Sequence, residues 1–281
     1  MELNDLKIIK VLGTGSQSIV YLVRNNNSDN YYTMKKIPRK KKKMKMIDKE
    51  INSLKCNKHQ YLINYVDVIK DKKYVYILTD YNDGYDLYTY ITEYNRTIRR
   101  TWSKHNLKII KLIVAQIISG LESLHNNSYV HLDLKLENIL ITNDGEVKII
   151  DFGSMEKLDI DEKDKVVLQM LECICGTLEY ISPETLHHYF NKSSDIWSLG
   201  IIIYELCSFQ ILYNGVDKKN IINKIKSYNI QHTYPDTFST ELKDLLNKIF
   251  THYKSRITLE EIKKHSWFTD IDWQNICIIK K

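Results

Sequence analysis

Between Leu6 and Ile37 apolar and polar side chains alternate on both sides of the turn Gly13-Thr14-Gly15-Ser16. That is the period of half-buried strands, and it predicts two or three of them. The period then lengthens. In MIDKEINSLK, residues 46–55, Ile47, Glu50, Ile51 and Leu54 fall on one face of a helix. KYVYILTDY at 73–81 returns to strand alternation. Beyond Gly84 the pattern is helical, with a long amphipathic run at 105–125 and shorter ones at 194–207, 218–228, 239–250 and 258–265. A small strand-rich part therefore precedes a larger helical one, an α+β layout. No internal repeat interrupts it.

The apolar runs NILIT and EVKII are joined through Asp144-Gly145, a two-residue hairpin signal. With those two residues as the turn, Asn143 pairs with Glu146 and Asn138 stands opposite Asp151. Two oxygen donors then meet at the open end of the hairpin, a setting that suits Mg²⁺ held by few protein oxygens plus substrate phosphates. Immediately upstream, residues 131–138 read HLDLKLEN, an imidazole, two carboxylates, an ammonium and an amide within eight residues.

Composition narrows the class. With 281 residues, 43% of them hydrophobic and 27% charged, the chain suits one large domain or two lobes. Its start is acidic and polar, unlike a secretory signal, and no apolar run approaches the ~20 residues of a membrane span. Hence no membrane partner is expected. Five scattered cysteines, with Cys173-x-Cys175 lacking a second pair, read as free thiols of a reducing compartment, which places the protein in the cytoplasm. The net charge of +6 is local: Arg39, Lys40, Lys41, Lys42, Lys43 and Lys45 account for it. An all-over nucleic-acid footprint is thereby disfavoured. The run itself reads as a solvated loop, with nuclear import or an anionic partner as the sharper alternative.

LGTGSQSIV at 12–20 could cover a phosphate, although alone it is a weak signal and Ser18 stands where a third glycine would. Fifteen residues after Val20 comes Lys35, in an apolar strand context, and fifteen further Glu50, a carboxylate on an apolar stripe that needs a partner. Lys35 is the natural candidate. The ordered set Gly13-x-Gly15, Lys35, Glu50, HLDLKLEN, DFG at 151–153, GTLEYISPE at 176–184, DIWSLG at 195–200 and Arg256 resembles the eukaryotic protein kinase family over about residues 6–268.

The resemblance implies a two-lobed α+β fold forming a single kinase domain over 1–281. Its N-lobe would run over 1–81, its hinge over 82–84 and its C-lobe over 85–281. It implies ATP and Mg²⁺ as cofactors. Leu12, Gly13, Thr14, Gly15, Ser16, Gln17, Ser18, Ile19 and Val20 would form the phosphate-covering loop. Val20 and Thr33 would roof the adenine, Leu140 would floor it, and backbone groups of Asp80 and Asn82 would read its edge. Thr33 replaces the usual alanine and would crowd the purine. Lys35 would neutralise phosphate charge, with Glu50 aiming it. Asn138 and Asp151 would hold the metal. Asp133 would accept the substrate hydroxyl proton, Lys135 would steady the γ-phosphate, and Thr177 would hydrogen-bond both. Glu184 and Arg256 would form a buried ion pair.

Lys135 and Thr177 match the serine/threonine-specific pattern. Asp86, Glu137 and Glu205 match positions that read basic residues upstream of the acceptor in protein substrates. KSRITLEEIKKHSWF at 254–268 leans toward the calmodulin-dependent and energy-sensing branch. Leu132 stands where many kinases carry an arginine that binds a phosphate on the activation segment, and Met155 to Gly176 holds no serine, threonine or tyrosine. Both halves of a phosphate latch are missing, so activity without activation-segment phosphorylation is expected. The rival reading is a pseudokinase acting by partner binding, disfavoured because Lys35, Asp133 and Asp151 are all retained. A small-molecule kinase is disfavoured by GTLEYISPE.

Overall fold

The computed structural model describes residues 1–15, 18–94, 104–159, 169–170, 176–227 and 234–276. Two compact units divide the chain, Met1–Asp83 and Gly84–Lys281.

The first unit is a five-stranded antiparallel sheet in the order β1-β2-β3-β5-β4, built from β1 (Leu6–Thr14), β2 (Ile19–Asn25), β3 (Tyr31–Pro38), β4 (Tyr65–Lys70) and β5 (Tyr74–Asp80). Val23, Met34, Tyr76 and Leu78 are its buried centre. Helix α1 (Met44–Cys56) buries Ile47, Ile51 and Leu54, with Glu50 as the charged member of the same stripe. The sequence pattern gave no separate strand at β4, whose residues are all half-buried or exposed and carry only a weak alternation.

The second unit opens with β6 (Gly84–Asp86), the short helix α2 (Leu87–Thr89) and a π-helical turn at Tyr90–Tyr94. Helix α3 (Lys104–Asn126) buries Ile113, Val114, Ile117, Ile118, Leu121 and Leu124 at helical spacing. After β7 (Tyr129–Val130) come β8 (Ile139–Thr142) and β9 (Val147–Ile149), which with β6 form a sheet in the order β6-β8-β9. Helix α4 (Lys192–Ser208) is buried continuously from Ser194 to Cys207 and is started by an Asn191/Ser194 capping box. A helix buried on every face belongs at the centre of its unit. Helices α5 (Lys218–Lys226), α6 (Thr240–Ile249) and α7 (Leu259–Lys263) follow. These match the helical runs read from the sequence, except that residue 228 lies outside the described residues.

The β8–β9 hairpin corrects one expectation. Its register pairs Ile139 with Ile149, Leu140 with Lys148 and Ile141 with Val147, one residue away from that of a two-residue turn. The loop has three residues, Asn143, Asp144 and Gly145. Gly145 adopts φ +81°, its amide donates to the Thr142 carbonyl at 2.9 Å, and Thr142 Oγ1 accepts from the Glu146 amide at 3.1 Å. A left-handed glycine closing a three-residue loop is the next commonest hairpin solution. Asn138 consequently stands opposite Ile150, whose amide donates to the Asn138 carbonyl at 2.9 Å. Asp151 lies one step beyond.

Two further pairings position the segments around this hairpin. Strand β10 (Glu156–Lys157) pairs with β7, and β11 (Gln169–Met170) pairs with β12 (Tyr189–Phe190). Glu184 and Arg256 form the expected buried ion pair, with Nη1–Oε1 at 2.5 Å and Nη2–Oε2 at 3.1 Å. The guanidinium also bonds the Ile249, Thr251 and Ser193 carbonyls, so its desolvation is compensated on every side.

Candidate active site

In the first unit Lys35 sits on β3 opposite Val20 on one side and Ile77 on the other. Its Nζ donates to Glu50 Oε1 at 2.7 Å. Glu50 is buried, so the lysine supplies the compensation that a carboxylate there requires. The β1–β2 hairpin pairs Gly13 with Val20 and Thr14 with Ile19, and Gly15 donates to the Ser18 carbonyl at 2.9 Å. The glycine-containing turn is thus a fold-over between two strands, as expected; Ser16 and Gln17 lie outside the described residues. Leu12 is exposed, and Thr33, half-buried, lies between Leu22 and Thr79. Asp80 exchanges bonds with Asn64, and its carbonyl accepts from Asn82 Nδ2 at 3.4 Å. One lone pair of that carbonyl is left for a further donor.

In the second unit the catalytic candidates share one hydrogen-bond network. Thr177 Oγ1 donates to Asp133 Oδ1 at 2.9 Å and accepts from Lys135 Nζ at 2.7 Å. Lys135 Nζ lies 3.4 Å from Asp133 Oδ2. Asn138 Nδ2 donates to the Asp133 carbonyl at 2.8 Å and to its Oδ2 at 3.1 Å. Asp133 is held on three sides, by Thr177, Lys135 and Asn138, which fixes its rotamer.

What holds this loop is Asp195 of α4, a residue with no solvent exposure. Its carboxylate accepts from the His131 amide at 2.8 Å, the Leu132 amide at 2.9 Å and His125 Nε2 at 2.9 Å. Burial alone would push its carboxyl up, but the His125 hydrogen bond and charge, with His131 adding to both, hold it below the usual value. In the sequence Asp195 stands out only as the first residue of DIWSLG, and nothing there marks this duty. Leu132 adopts φ +64°, and its side chain is buried with Val130, Leu158 and Phe190. Gly176 adopts φ +95°, and a Cβ there would run into the Leu132 carbonyl oxygen. Glycine is therefore required beside Thr177.

Asp151 also has a left-handed backbone, φ +60°, and its Oδ1 accepts from the Gly153 amide at 3.3 Å. Phe152 is buried edge-on against His131 at 6.0 Å, and His131 Nε2 is 3.2 Å from the Ile150 carbonyl. Asn138 directs its amide nitrogen to Asp133, which leaves Oδ1 for a cation. With the Asp151 carboxylate it makes a pair of hard oxygen donors, a fit for Mg²⁺ completed by phosphate and water. Leu140, paired with Lys148, is half-buried on β8.

The three substrate-reading candidates differ in state. Asp86 caps α2, accepting from the Thr89 amide and hydroxyl at 2.8 Å each. Glu137 is exposed. Glu205 is buried on α4 and accepts from the Tyr180 hydroxyl at 2.6 Å. Burial, with the nearby Glu137 and Glu179 charges, pushes its carboxyl up to about 7, and burial pushes the Tyr180 phenol up as well.

The family model "Protein kinase domain" matches residues 6–268, and the chain belongs to that family. It is 31% identical over 285 residues to the cAMP-dependent protein kinase catalytic subunit of Dictyostelium discoideum, covering 98% of this chain and 41% of that one. It is 30% identical over 286 residues to the cAMP-dependent protein kinase type 3 of Saccharomyces cerevisiae, covering 98% and 67%. With the CBL-interacting serine/threonine-protein kinase 13 of Arabidopsis thaliana it shares 32% over 274 residues, covering 95% and 51%. The chain spans about half the length of these relatives. Their near-equal identities single out no branch, the calmodulin-dependent one included.

Proposed function

We propose that the chain transfers the γ-phosphate of ATP to serine and threonine hydroxyls of protein substrates, as an active kinase rather than a kinase-like scaffold. The observation that carries this is the Thr177–Asp133–Lys135 network, a carboxylate oriented beside an ammonium and tied to the expected substrate platform. A scaffold has no need to hold Asp133 so firmly. In the reading proposed here Asp133 takes the acceptor's hydrogen bond and then its proton, while Lys135 stabilises charge on the transferring group. Lys35, aimed by Glu50, neutralises the α- and β-phosphates. Mg²⁺, when bound at Asn138 and Asp151, would supply charge neutralisation at the phosphates. Gly13, Gly15 and the rest of the 12–20 turn would cover them, and Thr33, Val20, Leu140, Asp80 and Asn82 would hold the base.

Two finer points belong to the same reading. Activity needs no activation-segment phosphate, because an apolar cluster around Leu132 occupies the place of a phosphate-binding arginine. A basic upstream preference rests mainly on Glu137, since Asp86 and Glu205 already hold hydrogen bonds. Work in a reducing cytoplasm agrees with free thiols at Cys56 and Cys207. The test is radiolabelled-phosphate transfer from ATP to a serine/threonine peptide library, by the purified chain and by Asp133→Asn. Transfer lowered at least about 100-fold in the variant supports the reading. Equal incorporation by both would sink it, and an acidic or proline-directed preference in the library would remove the role given to Glu137.

A further inference from the structure

The connection between β3 and α1 carries chemistry that phosphotransfer does not use. Six cations, Arg39, Lys40, Lys41, Lys42, Lys43 and Lys45, lie within seven residues. The fold concentrates them further. Pro38 pairs with Tyr74 at the end of β3. From there the Arg39 amide donates to the Lys73 carbonyl at 2.8 Å, and its guanidinium donates to the Asp71 carbonyl at 2.9 Å. The β4–β5 turn, with Lys72 and Lys73, is thereby tied to the lysine run. That turn is itself stiff: the Asp71 carboxylate accepts from the Lys73 and Tyr74 amides at 2.6 Å each and from the Tyr76 hydroxyl at 2.9 Å.

Lys40, Lys41, Lys42, Lys72 and Lys73 are exposed, and no carboxylate among the described residues pairs with them. Like charges gathered this closely repel one another, a cost that an anionic partner removes. The residue types say what kind of partner. The patch is almost all lysine, point charges on flexible stems with no fork for a fixed phosphate or carboxylate. Its one guanidinium gives an Nη1 hydrogen to the Asp71 carbonyl. Met46, half exposed in the first turn of α1 beside Lys45, adds an apolar side chain that a nucleic-acid backbone could not use. An anionic bilayer uses both features: it reads charge density without geometry, and it accepts an apolar group among the headgroups.

We propose that this face docks the protein, reversibly and in a salt-sensitive way, on an anionic phospholipid bilayer. The expectation of no membrane partner rested on the missing span; no helix among the described residues is long and apolar enough to cross a membrane, and peripheral docking needs none. The test is flotation of the full chain with phosphatidylcholine vesicles, with and without phosphatidylserine, at low and physiological salt. Each basic residue near an anionic leaflet strengthens partition roughly fivefold. Reversal of Lys41, Lys42 and Lys73 to Glu together should therefore weaken it by at least about 100-fold. Met46→Ser should weaken it severalfold at fixed salt. Both variants should keep the native melting temperature and turnover of a soluble peptide. Flotation that does not depend on phosphatidylserine overturns the proposal. So does tighter binding to duplex DNA or to polyglutamate than to the vesicles, or a triple reversal that leaves flotation unchanged.

Discussion

At position 195 one buried carboxylate answers two backbone amides and an imidazole, and the residue it steadies, Leu132, has a conformation that leucine rarely takes. The left-handed conformer costs about 1–2 kcal/mol. A hydrogen bond to a charged acceptor returns about 1.5–3 kcal/mol, and Asp195 provides two to this loop, so the strain is sustained. Buried acids on the same helix titrate in opposite directions. Asp195 is depressed, so its stabilisation is present above the ordinary carboxylate range and is lost as pH falls through the folded value. Glu205 is raised to about 7, so its contribution is complete below about 4.5 and is lost as pH rises toward 7. Glu205→Gln keeps an oxygen for the Tyr180 hydroxyl and removes the titration. We predict that the variant loses less stability than the parent between pH 5 and pH 7.5, by on the order of 1 kcal/mol per pH unit across the titration. Parallel melting curves for the two proteins would show that Glu205 is ionised throughout.

Three short elements converge where Leu132 packs. Val130 comes from β7, Leu158 follows β10, and Phe190 belongs to β12, whose partner strand is β11. Backbone pairing and an apolar contact thus tie the segment around Leu132 to residues 156–158, and through β12 to residues 169–170. Gly176 adds a close approach at the same carbonyl. We predict that Leu132→Ala costs about 2–4 kcal/mol of stability through the cavity it leaves. Gly176→Ala should act differently, moving Thr177 off Asp133 and lowering kcat far more than it lowers Tm. Unfolding and phosphotransfer assays on both variants separate the two, and a Gly176→Ala protein with parental kcat would break the link to the platform. Part of this region was legible in the sequence. The Lys35–Glu50 pair followed from a charge on an apolar stripe, and the Asp133, Lys135 and Thr177 contacts followed from the kinase motifs. The hairpin register did not, because Asp144-Gly145 also fits a three-residue loop, and Thr142 Oγ1 with a left-handed Gly145 selects that loop. The left-handed backbone at Leu132 leaves no mark in residue type, since leucine normally avoids it, and an aspartate at 151 tolerates that conformation without announcing it.

For the whole molecule, the proposed activity without an activation-segment phosphate rests on two positions. A phosphate latch needs a cation to read it and a hydroxyl to carry it. The cation's position holds Leu132, buried in an apolar cluster with Val130, Leu158 and Phe190. The stretch from Met155 to Gly176 carries no hydroxyl side chain. Of the two flanking hydroxyls, Thr177 is committed to Asp133 and Lys135, and Ser154 closes the turn that follows Asp151. A phosphate on Thr177 would place two negative charges against the Asp133 carboxylate and remove the donor it now receives, so it should inhibit rather than activate. We therefore predict full phosphotransfer by a chain made in bacteria, stripped with a phosphatase and verified by mass spectrometry to carry no phosphate. Thr177→Glu should be nearly inactive, whereas Ser154→Ala should remain close to the parental rate. Activity that disappears on dephosphorylation and returns with phosphate at Ser154 or Thr177 would refute the packed latch.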